Sequence, residues 1–410
     1  MKIAFCNSII GLPVPSTLGG GAEELLTILL NENQTQNSEN EFYFVQKYLY
    51  GQDAQYMSPN QYKNSKLVYV KYNRFLTFIQ RAFNKCLKIL KIKRNFPTVF
   101  PTNYHHKMFK EVKKIKPDII IFEGQIDANI RKYQKTFGKS RLYLHLHIQD
   151  MDKVAMDKNV AGIIAVSDFV KKDYESFVHQ PMDNYVLYNC VDENRFSHRL
   201  TAAERTAIRQ KYHFTEHDFV VVFCGRIAPE KGIKELCESV LNADANVKLL
   251  IVGGVSSARK ETSPYLQQIQ KIANEHQDRI RFTGYVKNDE LYQIYQSADV
   301  QVVPSIWEEA AGLVVIEGQL SGLPQIITKS GGMVEYANPD GCIVIDKDEL
   351  LVGKMTEAIE KLQNNPQLAK KMGSVNQEFA KKFNKKSYYN NFNKIIQEIA
   401  VHHSVGTSCQ

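Results

Sequence analysis

Long hydrophobic runs are missing from this chain: no apolar stretch reaches the roughly 18 residues that a membrane-spanning helix needs. The opening Ile3-Ala4-Phe5-Cys6 run is cut short by Asn7 and Ser8, too early for the apolar core of a secretory signal, so none is expected. The seven cysteines, at 6, 86, 190, 224, 237, 342 and 409, form no Cys-x-x-Cys pair and are odd in number, which speaks against both a disulfide framework and a zinc knuckle. Reduced thiols in a cytoplasmic protein are expected. No phosphate-cradling Gly-x-x-x-x-Gly-Lys-Ser/Thr loop occurs, which excludes a P-loop nucleotidase. Solenoid-period repeats and low-complexity segments are also lacking.

What is present is a globular composition, 43% hydrophobic and 23% charged. At 410 residues the chain suits two domains of roughly 150–200 residues each. The formal net charge of +8 is uneven: residues 71–116 hold thirteen Lys or Arg against the single acid Glu111, so this segment carries +12 and the rest −4. The basic residues alternate with Phe75, Leu76, Phe78, Ile79, Phe83 and Leu87, and Arg81, Lys85 and Lys88 share a helical face at i, i+4 and i+7. A basic amphipathic helix fits an anionic membrane surface better than a nucleic-acid groove, so no nucleic-acid partner is expected. The alternative is a core-facing helix with a solvated lysine face.

Strand and helix patterns alternate along nearly the whole chain. Apolar strand candidates are 2–7, 41–46, 67–71, 118–123, 142–147, 162–167 and 185–189, followed by 219–224, 247–252, 280–283, 299–303, 325–328 and 342–345. Two successive βαβ series imply two α/β domains with parallel sheets, 1–190 and 191–384, with a final helix near 385–400 returning to the first.

The segment from Pro304 to Glu317 is the most informative. Asp299–Val303 reads as a buried strand and Gly312 onward as a helix with an apolar face of Leu313, Ile316 and Leu320. Glu309 then lies in the loop at the strand's carboxyl end and Glu317 about two turns into the helix. Between them, the backbone around Ala310, Ala311, Gly312 and Leu313 forms a helix N-terminus, where the dipole favours a diphosphate. One carboxylate could take sugar hydroxyls and the other ribose hydroxyls; plain first-turn acids are the alternative.

Phe223–Gly232 runs from a strand into a glycine-flanked loop with Arg226 and Lys231 five residues apart. Two fixed cations there suit a departing nucleoside diphosphate, whose negative charge grows as the glycosidic bond breaks. A solvated loop with an internal Glu230–Lys231 pair is the competing reading. The loop Leu18-Gly19-Gly20-Gly21-Ala22-Glu23 permits close backbone approach to a phosphate or sugar. His145 and His147 share one face of a strand, with His147 at the carboxyl end, where doubly wound folds place ligands. No third ligand is apparent near this pair in sequence, so zinc is not expected. Asp150-Met151-Asp152 spells the Asp-x-Asp pattern of metal-dependent sugar transfer, but Arg226 and Lys231 already supply positive charge, and no metal is assigned.

The two glutamates, seven residues between them, with Ser321-Gly322-Leu323-Pro324 behind, resemble the signature of glycosyltransferase family 4. The resemblance is strong from 218 to 336 and looser before it. It implies the GT-B architecture, two Rossmann-like doubly wound domains facing each other across a cleft, and retaining transfer from an activated sugar. It also implies that Arg226 and Lys231 bind the diphosphate, that His147 meets a donor-sugar hydroxyl, and that Gly20 and Gly21 close over the donor. By the same resemblance Gly253 would line the base and phosphate side, and the backbone near Val286 would meet the nucleobase. Two positions depart from the family pattern: Cys190 replaces the hinge glycine, and Ala311 stands where an aromatic is frequent. The His145–His147 strand, Gly225-Arg226-Ile227 and Ser257-Ala258-Arg259-Lys260 look most like the lipopolysaccharide-core N-acetylglucosaminyltransferases.

The expected function is a metal-independent, retaining hexosyl- or N-acetylhexosaminyltransferase without a resident cofactor. Its co-substrate would be a nucleotide sugar, a UDP-sugar such as UDP-N-acetylglucosamine. Its acceptor would be a glycan or lipid-linked glycan of lipopolysaccharide core, capsule or exopolysaccharide, with Arg81, Lys85 and Lys88 on the membrane and acceptor face. The location would be cytoplasmic, or peripheral on the inner face of the plasma membrane. A nucleotide-sugar epimerase of the same fold and a catalytically inactive partner subunit are the alternatives.

Overall fold

The computed structural model of the chain describes residues 1–8, 11, 13–15, 21–36, 38–58, 62–89, 103–148, 159–178, 180, 182–254 and 262–406. The chain forms two compact units, Met1–Tyr188 with Tyr388–Gln410, and Asn189–Ser387.

Among the described residues, the first unit holds β1 (Lys2–Asn7), β2 (Glu41–Lys47), β3 (Ser65–Val70), β4 (Ile119–Glu123), β5 (Leu142–Leu146), β6 (Gly162–Ala165) and β7 (Asp183–Val186). They make one sheet in the order β3-β2-β1-β4-β5-β6-β7, every pair parallel. The continuous apolar runs predicted this: Ile119 to Phe122 are all fully buried, as a strand covered on both faces must be. Strand order reverses between β1 and β4, where Asn7 lies in register with Glu123. Such a switch point opens a crevice at the carboxyl ends of the strands. The last helix, Lys385–Gly406, supplies Phe392 against Phe5 and Phe42 at 5.6 and 5.8 Å between ring centroids. Its Tyr389 hydroxyl donates to Asn33 Oδ1 at 2.9 Å.

The second unit repeats the plan with β8 (Phe219–Cys224), β9 (Val247–Val252), β10 (Ile280–Gly284), β11 (Val300–Val303), β12 (Gln325–Thr328) and β13 (Cys342–Ile345), ordered β10-β9-β8-β11-β12-β13. The reversal now falls between β8 and β11. Thr201 and Glu204 form a capping box on the helix Ala202–Lys211. From that helix Arg205 and Arg209 each reach Asp299 at 2.6 Å, and the Val220 amide donates to the same carboxylate at 2.7 Å. Asp299 therefore ties β8, β11 and the helix together just ahead of the β11 strand. At the hinge, Cys190 is buried and keeps a negative φ, so this turn is built without the glycine that the family pattern has there. The Asn189 amide donates to the Tyr336 hydroxyl and the Val191 amide to the Phe383 carbonyl.

Candidate functional site

In the second unit the Arg226 loop links β8 to the helix Ile233–Asn242 through a short 3-10 turn at Pro229–Lys231. Gly232 follows at φ 65°, and a Cβ there would lie 2.0 Å from the Pro304 carbonyl oxygen. Only glycine lets this loop rest on the chain leaving β11. The Ile306 amide donates to the Glu230 carbonyl at 3.0 Å. Two motifs far apart in sequence thus become one surface at the β8/β11 switch point.

Lys231 Nζ donates to Glu309 Oε1 at 2.6 Å, and Ser305 Oγ donates to the same oxygen at 2.6 Å. Glu309 Oε2 has no bond among the described residues. Arg226 pairs with Glu230 at 3.2 Å and stays more than half exposed. The Glu230–Lys231 pair weighed from sequence is absent: Glu230 pairs across the loop with Arg226, four residues before it, and Lys231 turns to Glu309 instead. The Gly332 amide donates to the Glu309 carbonyl at 2.7 Å, which fixes the Gly331-Gly332 loop against the glutamate.

The helix after the loop spans Leu313–Leu320 with Gly312 as N-cap. The helix starts where expected, and Glu317, its fifth residue, lies about one turn in rather than the two expected, because at 3.6 residues per turn five residues fall well short of two turns. Tyr295, fully buried, donates its hydroxyl to Glu317 Oε2 at 2.9 Å. Burial lifts the Tyr295 phenol well above its usual range, so it stays a donor to the carboxylate. Beside them, burial and then the Glu317 charge push the Cys224 thiol up to about 12, leaving it protonated. Ala311 and Leu313 pack against the core of this unit, and Gly312 is buried so closely that a Cβ there would lie 3.3 Å from both Met333 Cγ and Val315 Cγ2, tighter than ordinary van der Waals contact.

A buried glutamine network holds that helix on the sheet. Gln325 Nε2 donates to Gln301 Oε1 at 2.5 Å and to the Val315 carbonyl at 2.8 Å, while Gln301 Nε2 donates to the Val314 carbonyl at 2.9 Å. Gln319 Nε2 donates to Gln325 Oε1 and to the Tyr336 carbonyl, both at 3.1 Å. Sequence reading overlooked these residues, along with Ser305 and Tyr295. The one available signal was polar Gln301 inside an otherwise apolar strand.

Gly253 sits at φ 136°, and a Cβ there would lie 1.9 Å from the Gly225 carbonyl oxygen. The Gly253 amide donates to the Gly284 carbonyl and the Ile227 amide to the Gly254 carbonyl, so the loops after β8, β9 and β10 are laced together. Val286, just beyond, is half-buried against the core.

In the first unit, Glu123 at the end of β4 joins His145 and His147. One carboxylate oxygen, Oε2, is 3.0 Å from His145 Nδ1 and 2.9 Å from His147 Nε2. The rings lie 4.1 Å apart, centroid to centroid. Burial raises the Glu123 carboxyl, but the charge and hydrogen bonds of the two imidazoles outweigh it and bring it down to about 2. Burial, then His147, lowers the His145 pKa against the pull of Glu123. The expectation that no third ligand lies near the two histidines fails here: Glu123, in register with His145 across β4 and β5, was hidden by its distance in sequence. A two-histidine, one-carboxylate set of this size has donors able to hold a divalent ion. Nearby, His105 Nδ1 pairs with buried Asp127 at 2.7 Å.

Gly21 opens the helix Gly21–Thr35, while Gly20, Asp150-Met151-Asp152 and Ser257-Ala258-Arg259-Lys260 lie outside the described residues. The basic helix forms over Arg74–Ile89; the side chains of Arg81, Lys85 and Lys88 lie outside the described residues. Its apolar face is not core: Phe75 is 69% and Phe78 68% exposed, with Leu76, Ile79 and Phe83 also exposed. Among the described residues, no helix is long and apolar enough to cross a membrane.

Residues 204–379 match the family model of glycosyl transferases group 1. The putative glycosyltransferase YtcC of Bacillus subtilis is 27% identical over 66% of this chain and 70% of its own length. The lipopolysaccharide 1,2-N-acetylglucosaminetransferase of Salmonella typhimurium is 26% identical over 50% of this chain, which spans about half, 53%, of that relative. The crystal structure of Anabaena Alr3699/HepE in complex with UDP superposes with a TM-score of 0.72 at 17% identity, covering 97% of this chain and 100% of that one. Residues 204–379 thus resemble glycosyl transferases group 1, and the two units of the chain have the α/β fold of GT-B glycosyltransferases.

Proposed function

We propose that the protein is a retaining glycosyltransferase that moves a hexosyl or N-acetylhexosaminyl group from a UDP-sugar to a hydroxyl of a cell-surface glycan. The observation that carries this reading is the Lys231–Glu309 pair at 2.6 Å on the β8/β11 switch point. Arg226 and Lys231 bind the diphosphate and stabilise it as it leaves, which calls for no metal. Glu309 keeps one oxygen for donor-sugar hydroxyls, Glu317 takes the ribose, and the backbone from Ala310 to Leu313 faces the phosphates. Gly253 and Val286 border the nucleotide. His147 contacts a sugar hydroxyl. Retention by double displacement requires a carboxylate nucleophile at the anomeric carbon. Glu309 is already held by Lys231 and Ser305, so a front-face course in which the leaving diphosphate takes the acceptor proton fits better.

The UDP bound to the Anabaena protein and the lipopolysaccharide N-acetylglucosaminyl transfer for which the Salmonella relative is named support the choice of donor and a lipopolysaccharide-type acceptor. The exposed aromatic face on the basic helix supports peripheral attachment to an anionic membrane that carries the acceptor.

The chain has one tryptophan, Trp307, 57% exposed and two residues from Glu309, which makes its fluorescence a direct reporter of donor binding. Titration with UDP, GDP and UDP-N-acetylglucosamine should quench or shift it, with the UDP forms tighter. Release of UDP, measured in excess chelator, should follow slowly without acceptor. An epimerised sugar would instead mark the epimerase, and no binding of any nucleotide sugar would leave a scaffold protein.

A further inference from the structure

Glu123 is placed by elementary geometry. It is the last residue of β4, in register with Asn7 on one side and His145 on the other, and is almost fully buried. Its neighbours are two imidazoles that share one oxygen. An ionised carboxylate only accepts hydrogen bonds, so both nitrogens facing it must carry protons: Nδ1 of His145 and Nε2 of His147. In neutral imidazole the other nitrogen then bears the lone pair. For His147 that is Nδ1, which has no partner among the described residues. Gly124, at φ 68°, carries the chain away beneath the ring, and a Cβ there would lie 4.0 Å from His147 Cδ2. His145 holds the carboxylate from the other side, so Glu123 cannot swing to free His147 without losing a second bond.

We infer that Glu123 is a positioning residue that locks His147 in the Nε2–H tautomer and fixes its ring plane, so that Nδ1 is presented as an acceptor for a ligand hydroxyl. The inference rests on the reading that His147 meets a sugar hydroxyl, and it adds a specificity: the group recognised must donate a hydrogen bond. A carbonyl or an O-methylated sugar at that position is refused, because two acceptors would face each other. His145 supports the carboxylate and makes no ligand contact.

The tautomer can be read without any donor. Nitrogen-15 NMR of histidine-labelled protein at neutral pH should show protonated Nε2 and unprotonated Nδ1 for His147. In Glu123→Gln, whose amide can donate as well as accept, His147 should lose the single tautomer, while Glu123→Asp should retain part of it. In turnover, Glu123→Gln should lower kcat/KM about 10–100-fold, by analogy with the loss of a group that orients a metal-bound histidine. A wild-type His147 protonated on Nδ1, or a Glu123→Gln protein that is folded and keeps the wild-type tautomer, overturns the inference. So does one equivalent of Zn²⁺ that displaces the Nε2 proton and moves both histidines to metal-bound shifts, since the cluster is then a metal site. If the tautomer is as expected but no nucleotide sugar binds, the transferase reading fails alone.

Discussion

Lys231 and Glu309, 78 residues apart, meet at 2.6 Å with both side chains about four-fifths buried. In the proposed reaction this pair would hold the ammonium fixed before any ligand arrives, so that little reorganisation is needed as a diphosphate develops charge. Replacing the lysine removes that charge and leaves Glu309 partly buried without its cation. We expect Lys231→Ala to lower turnover on the order of 10²–10³-fold, as for other fixed electrostatic groups. Steady-state assay of UDP release measures this, and wild-type turnover would remove the role.

Gly232 is where the two loops touch, and its replacement tests the fold of the site rather than its charge. Gly232→Ala must place a Cβ in the left-handed region, costing roughly 1–2 kcal/mol, and must push a backbone carbonyl 2.0 Å away, costing roughly 1–3 kcal/mol more. A drop in Tm of roughly 5–15 °C is expected for a unit of this size. An unchanged melting curve would mean that the Pro304 contact yields freely.

The glutamine network predicts a different cost. Gln325→Leu keeps the volume but strips Gln301 Oε1 and the Val315 carbonyl of their donor. Each orphaned buried group costs about 1–3 kcal/mol. Urea denaturation should show a lower midpoint at similar slope, and donor affinity should fall with it, because the helix bearing Glu317 loses its anchor. Weaker stability with intact donor binding would separate Glu317 from the nucleotide.

Strands were legible because each is a short apolar run: β1, β8, β9, β12 and β13 begin and end where the sequence pattern placed them. A parallel strand covered on both faces is mostly apolar, so its limits show in composition. Glu309 and Lys231 were legible as members of local motifs, yet their contact was not, since nothing local tells which of several acids a lysine will face. Glu123 was invisible for the same reason. The pattern placed it at the end of the 118–123 strand, but it pairs with His145 only once β4 and β5 lie side by side, and nothing local names that partner. The basic helix was legible as amphipathic, but which face would meet solvent was not. Periodicity is the same for a helix that docks inward and one that points its aromatics outward.

Acid should weaken the first unit through the Glu123 cluster. His145 has a folded pKa below its ordinary value, so the unfolded state takes its proton first and stability is lost as pH falls below about 6.5. Glu123, held at about 2, contributes stability that is complete above its usual value and is lost as pH falls from about 4.5 towards 2. That second loss amounts to about 3 kcal/mol, the equivalent of the shift. Cys6 and Asp127 lie close by; the thiol is raised by burial and stays neutral throughout this range. Denaturation midpoints from pH 7 to 3 should therefore fall steeply for the wild type and less steeply for Glu123→Gln. Parallel curves for the two proteins would show that the cluster does not govern acid sensitivity.

The basic helix predicts membrane binding with two separable components. Residues 71–116 carry +12, and each basic residue near an anionic surface contributes about 1 kcal/mol, an attraction that salt screens. Phe75, Phe78 and Ile79 lie at i, i+3 and i+4 on one exposed face, and their insertion is insensitive to salt. The protein should co-sediment with phosphatidylglycerol vesicles and not with phosphatidylcholine vesicles. Replacing Arg81, Lys85 and Lys88 by Gln should reduce binding and flatten its salt dependence. Replacing Phe75 and Phe78 by Ser should reduce binding while leaving the salt dependence steep. UDP binding, read by Trp307 fluorescence, should be unchanged in both, because Arg226, Lys231, Glu317, Gly253 and Val286, the residues proposed to hold the nucleotide, belong to the second unit. If wild-type protein ignores anionic vesicles at low salt, the aromatic face is covered by something other than lipid and the acceptor must be sought among soluble glycans.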